Sequence, residues 1–318
     1  MRADVKVGSP DPMLPPFRPL SNSLDLQSAF AQLSKRRASS DGLDATLRQL
    51  TAATGCMLGI ERVSLWGLTG ERTRLECIDL YELSRNRHSS GVSLEAARCP
   101  EYFRALERGE PIVADDAMTH PTTRSLTEDY LLMNGISAVI NSPIHVNGEL
   151  QGALCVEQVG PHSAWTSVQR LFTHSVASLV SLALLQHQLQ LIEQELRDVQ
   201  SLRQALFAGA PDAILISDAR TGHILDANPQ AERLFGRQRP QLLGVVQSDL
   251  QPAGAGLDIR ELLTLITTAG SAAVHSAVVK LDGTVIPVEI VGQEVRLEKG
   301  KNVVQGVFRP LPASPTKS

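Results

Sequence analysis

The side chains of this sequence that could do chemistry are few and widely spaced. Four cysteines stand at positions 56, 77, 99 and 155, with no CxxC pair among them. That spacing makes neither a structural zinc site nor a disulfide framework, and it predicts reduced thiols and no metal site. The eight histidines are the best cofactor candidates, because a neutral imidazole can ligate haem iron, yet no spacing singles one of them out. His174-Ser-Val and His187-Gln-Leu lack the acidic neighbour and following proline of a phosphoaccepting histidine. No glycine-rich nucleotide loop, Gly-Gly-Asp/Glu-Glu-Phe run or helix-turn-helix pattern occurs, so no catalytic residue is assigned and the chain is expected not to be an enzyme.

Composition removes other classes. The net charge of −4 offers no basic stripe for a phosphate backbone, and the short run Lys35-Arg36-Arg37 reads as solvated linker, so no nucleic-acid partner is expected. The N-terminus lacks a basic-then-apolar leader, and the apolar stretch Val176 to Leu185 falls short of the roughly 20 residues that span a bilayer. A cytoplasmic protein without a membrane span is the expectation.

The elements that must position these groups follow from periodicity. Residues 1–22 hold five prolines among polar residues and read as a disordered tail, as does 311–318. Helical spacing runs from about Leu24 to Leu58. Val63–Leu68 and Thr73–Tyr81 form a hairpin about Gly70. Helices are predicted over Pro100–Arg108 and Leu126–Met133. Ser137–Val146 and Glu149–Glu157 then flank Asn147-Gly148, which suits a turn with two positive φ angles. Thr166, with Gln169 three residues on, forms a capping box for the next helix. This block is an antiparallel sheet with helices on one face.

That last helix continues without glycine or proline as far as Gly209. Leu185, Leu189, Ile192, Leu196 and Val199 alternate spacings of four and three, and Leu206 resumes the register after Arg203 interrupts it. Glu193, Glu195, Arg197 and Asp198 lie beside the stripe. So narrow a seam predicts a coiled-coil homodimer. The alternative is that the stripe packs on its own domains. A third block follows, with strands at Ala213–Ser217, His223–Ala227, Ala273–Lys280, Thr284–Ile290 and Asn302–Phe308, and a helix capped by Asn228 and opened by Pro229.

The run Leu206 to Gly236, with its Gly222 turn and Asp226-x-Asn228-x-x-Ala231 element, resembles the opening of a PAS domain. Residues 40–186 resemble a GAF domain in Val63-Ser-Leu-Trp66, His88-Ser-Ser-Gly91, Tyr102-Phe103, Asp115-Asp116-Ala117, Pro143-Ile144, Val146-x-Gly148-x-Leu-x-Gly152 and Trp165-Thr166. The resemblance implies an α+β chain of two antiparallel-sheet sensory domains joined by a long helix. The boundaries are 23–186 for the GAF-like domain, 187–206 for the linker and 207–310 for the PAS-like domain. It also implies a bacterial signalling protein that takes a small molecule in one or both pockets and answers to a separate partner, a kinase or a cyclic-dinucleotide enzyme. In such a domain His88 falls in the loop after the second strand, where it either ligates haem or fixes the loop by bonding to a backbone carbonyl. Tyr81, Asp115 and Cys155 are candidates to line the same cavity, or to serve as core and loop anchors. Asn228 is a cap first and a pocket residue second. Two further readings remain: a ligand-free dimerisation scaffold, and a GAF-type methionine sulfoxide reductase acting through Cys77, Cys99 or Cys155.

Overall fold

The computed structural model describes residues 6–7, 42–161, 163–252, 264–266, 268–269, 271–297 and 302–312. The expected tails and the helical pattern before residue 42 otherwise lie outside it. The chain divides into two units, Met1–Ile192 and Glu193–Ser318, and the expected α+β class holds.

In the first unit an eight-stranded antiparallel sheet is built from β1 (Lys6–Val7), β2 (Arg62–Thr69), β3 (Arg74–Glu82), β4 (Arg87–Ser90), β5 (Ser93–Glu95), β6 (Ile112–Ala114), β7 (Ile136–Val146) and β8 (Glu149–Val159). Its order is β1-β4-β3-β2-β8-β7-β6, with β5 also on β3. Lys6–Val7, expected within a disordered tail, pairs with Ser89 and Ser90 instead. The β7–β8 hairpin turns where expected, with φ of 53° at Asn147 and 83° at Gly148.

The sheet is covered on both faces, not one. Helices α1 (Leu43–Leu58) and α3 (Ser167–Gly209) pack on the face that carries Val63, Leu65, Ile140, Leu154 and Val156. Helix α2 (Pro100–Glu107) covers the other, where Tyr102, Phe103 and Leu106 meet Trp66, Cys77, Val139 and Cys155. Alternate residues of each central strand thus feed two separate cores. The helix predicted over Leu126–Met133 is instead three short turns: 3₁₀ at Arg124–Leu126, π at Thr127–Leu131 and 3₁₀ at Leu132–Asn134. They too lie over the second face, with Leu126, Tyr130 and Leu131 buried.

Helix α3 runs 43 residues and opens on the expected capping box, with Thr166 and Gln169 exchanging hydrogen bonds of 2.9 and 3.2 Å. It holds an 18-residue window of mean hydropathy 1.3, long and apolar enough by composition to cross a membrane. Part of it is buried: Phe172, Val176, Ala177, Leu179 and Val180 lie in the first core, while Leu171 and Leu182 are exposed. Beyond Ala183 the helix emerges. Leu185 is half-buried, while Leu189, Ile192, Leu196, Val199, Leu202 and Leu206 are exposed in the single chain.

In the second unit β9 (Ala213–Asp218), β10 (Ile224–Ala227), β11 (Ser271–Val279), β12 (Val285–Arg296) and β13 (Asn302–Pro310) form a five-stranded antiparallel sheet, ordered β10-β9-β13-β12-β11. Helices α4 (Pro229–Phe235) and α5 (Arg239–Leu242) contribute Leu234, Phe235 and Leu242 to its core. Phe235 meets Phe308 edge to face at 5.4 Å.

Candidate functional site

On the α2 face of the first sheet, a set of buried polar groups faces the turns over 124–134. Arg62 Nε donates to Glu157 Oε2 at 2.9 Å, and the Tyr130 hydroxyl donates to Glu157 Oε1 at 2.7 Å. Trp66 Nε1 donates to Ser64 Oγ at 2.8 Å, and the Trp66 and Tyr130 rings meet edge to face at 5.7 Å. The Tyr102 hydroxyl lies 3.6 Å from Cys155 Sγ. Asn141, 4 % exposed, keeps its Oδ1 buried without a partner. Trp66, Tyr102, Tyr130, Asn141, Cys155 and Glu157 line a narrow chamber of about 10 Å³, room for a single water.

The electrostatics of this chamber are balanced. Burial works against the Arg62 guanidinium charge, but Glu157 and Tyr130 outweigh it and hold the group above its usual range. Burial, then the Glu157 carboxylate, pushes the Tyr130 hydroxyl and the Cys155 thiol well up. Burial also raises the Tyr102 hydroxyl and the Cys77 thiol, and lifts Cys99 to about 11. Burial thus favours the protonated form of these thiols, whereas cysteine chemistry draws on the thiolate.

The sequence candidates separate across the sheet. Cys155 lines the chamber, whereas Tyr81 and His88 lie on the opposite face, against α1. His88 sits within β4, not in a loop, and its Nδ1 meets the Asp79 carboxylate at 2.9 Å where a backbone carbonyl was expected. Thr51 of α1 donates to the same carboxylate. The Tyr81 hydroxyl donates to Asn86 Oδ1 at 3.0 Å, and its ring lies 5.0 Å from that of His88. His88 is 4 % exposed and does not line the chamber. Its Nε2 is free, but the ring is wedged between helix and sheet, and the site does not fit a haem. Asp115 is exposed and accepts from the Trp165 backbone N–H at 2.8 Å, so it anchors a loop outside the chamber.

Asn228 is buried in the second unit, where Oδ1 caps α4 through Ala231 N and also accepts from Ile214 N. Its Nδ2 donates to Asp212 O at 2.9 Å. Every donor and acceptor is thus used on backbone. A separate open groove of about 1120 Å³ runs between the end of α3, at Arg203 and Phe207, and Ile216, Leu225 and Val303 of this unit's sheet. Sequence reasoning missed Trp66, Tyr130, Asn141 and Glu157 as chamber residues, and Arg62 as the partner of Glu157. The one available signal was a charged or amide group inside otherwise apolar strands.

The profile of the GAF domain matches residues 42–184, and that of a PAS domain matches residues 211–309. The chain carries a GAF domain followed by a PAS domain. Solved structures are similar to each part. The GAF domain of a phosphoenolpyruvate-protein phosphotransferase from Coxiella burnetii is 18 % identical, covering 54 % of this chain and 98 % of its own, with a TM-score of 0.43. A phycocyanobilin-bound GAF domain from a cyanobacterial phytochrome is 18 % identical over 53 % of this chain and 98 % of its own, with a TM-score of 0.46. The PAS domain of nitrogen regulation protein NR(II) from Vibrio parahaemolyticus is 26 % identical over 35 % and 98 %, with a TM-score of 0.31. No curated protein matches the chain at a significant level.

Proposed function

We propose that this chain is a cytoplasmic, non-catalytic regulator of bacterial signal transduction that binds a small molecule in its GAF chamber, its PAS domain or both. The change passes through a parallel pair of α3 helices to a separate partner, a kinase or a cyclic-dinucleotide enzyme. GAF and PAS domains support the sensory role in general. The observation that carries the specific reading is the division of α3. One helix buries Phe172, Val176 and Val180 in the GAF core, then presents Leu189, Ile192, Leu196, Val199 and Leu206 unpartnered on the way to the PAS domain.

A seam of that spacing is covered by the same seam of a second copy, which sets GAF beside GAF and PAS beside PAS. Each seam residue so buried contributes about 1.5–3 kcal/mol. Light scattering on the full chain tests this. A dimer at micromolar concentration is expected, and Ile192→Glu, which sets two carboxylates face to face, is expected to give monomer. A monomeric parent or a dimeric variant overturns the helix-pair reading.

A further inference from the structure

We propose that the GAF chamber takes a small uncharged molecule that donates an N–H or O–H hydrogen bond to Asn141 Oδ1, and that it enters by release of the Tyr130 latch from Glu157. This rests on the sensor reading above and gives it a ligand class. A buried acceptor without a partner is a standing demand for a donor, because hydrogen-bonding capacity lost on burial is recovered only by a new partner. Asn141 Oδ1 is such an atom, and Asn141 lines the chamber.

The absence of a net charge on the molecule follows from the lining. Glu157 is the chamber's one carboxylate, and Arg62 already matches it at 2.9 Å. A charged guest would therefore be buried without a counter-ion, which is costly. Of the remaining walls, Thr123 spends its hydroxyl on Ala117 O, and Trp66, Leu94, Leu126, Leu131 and Val139 are apolar or aromatic. They favour a planar or apolar body behind the donor.

Entry requires movement, because a chamber of about 10 Å³ admits only a water. The covering segment is built for it. Between Arg124 and Asn134 the backbone changes from 3₁₀ to π to 3₁₀ pitch, where a regular helix would carry one continuous ladder. Tyr130 ties this segment to the sheet through its hydroxyl on Glu157, with Arg62 Nη2 3.5 Å from the same oxygen. A guest that lifts Tyr130 opens the chamber and leaves the Arg62–Glu157 pair in place beneath it.

Phenol, anisole, benzoate and benzylammonium, titrated into the full chain carrying Trp165→Phe so that Trp66 alone fluoresces, test the assignment. Phenol is expected to change Trp66 emission saturably. Anisole, which lacks the donor, and the two ions are expected to bind at least about tenfold more weakly. Asn141→Leu, which removes the orphan acceptor, should fold and should abolish the preference for phenol over anisole. In Tyr130→Phe, amide exchange over 124–134 should quicken at least about tenfold. Equal binding of phenol and anisole, preferential binding of an ion, no binding at all, or an unchanged preference in Asn141→Leu overturns the proposal. Amide exchange over Leu185–Leu206 separates it from the sensor reading. An ion that binds and alters that helix sinks the donor rule alone, whereas phenol bound at Asn141 without effect on the helix sinks transmission alone.

Discussion

The two domains bury polar groups in different ways. Among the described residues, the GAF interior holds Arg62, Asp79, Glu82, His88 and Glu157, whereas the buried polar groups of the PAS domain are Ser217, Asn228 and Gln247, none of them ionisable. The PAS groups serve the backbone or one another: Asn228 caps a helix, and Ser217 donates to Gln247 at 2.8 Å. The GAF groups link neighbouring strands that are far apart in sequence, as Arg62 and Glu157 do across 95 residues. Burying an ion pair costs desolvation that an apolar pair of similar volume would avoid. Such a pair is therefore weak as a stability device and informative as a positioning device. Here it sets the Tyr130 hydroxyl and the floor of the chamber.

The sharpest way to break this contrast is Glu157→Leu. It leaves the Arg62 guanidinium buried with its nearest carboxylate gone, and roughly 3–5 kcal/mol should be lost. Calorimetry should show the GAF transition fall steeply, and Arg62→Met in the same chain should restore most of it; a single variant as stable as the parent would remove the pair from the account. Asn228→Ala is the PAS counterpart and should cost about 2 kcal/mol, from the lost cap and from Ile214 N–H left without its acceptor. The PAS transition alone should move.

On the other GAF face, Thr51→Val keeps the shape of the α1 side chain but removes its hydroxyl from Asp79. A loss of about 1 kcal/mol in denaturant unfolding is expected. The smallest effect belongs to Asp218, a half-buried residue whose carboxylate is lowered by hydrogen bonds from the Thr221 backbone and hydroxyl and from Arg220 N. A lowered folded-state value means that its contribution is present above the usual carboxylate range and is lost as pH falls through the folded value. Between about pH 5 and pH 2 the PAS transition of Asp218→Asn should therefore fall less than that of the parent.

Legibility in the sequence followed the range of the interaction. Asn147-Gly148, the Thr166–Gln169 box and the Asn228 cap are signals carried within a few residues, and the structure has each of them. Strands β4, β5 and β6 have only three or four residues, too few to display an alternation. With both faces of the GAF sheet covered, period two no longer separates inside from outside, so Asn141 and Glu157 did not stand out from Ile140 and Val156. The same effect scattered the candidate site. Tyr81 and Cys155 both read as inward-facing, and the sheet itself lies between them.

Helix α3 has a consequence best stated as phase. Its buried stripe through Val176, Val180 and Ala183 and its exposed stripe through Leu189, Ile192 and Leu196 are written on one rod, so their angular offset is set only by the number of residues between them. One residue inserted near Gln186 turns the second stripe by about 100° against the first, whereas seven turn it by only about 20°. Length in this stretch is therefore quantised: insertions close to a whole number of turns, about 7, 11 or 18 residues, leave the offset nearly intact, and a length far from whole turns rewires which face the second half of the helix presents.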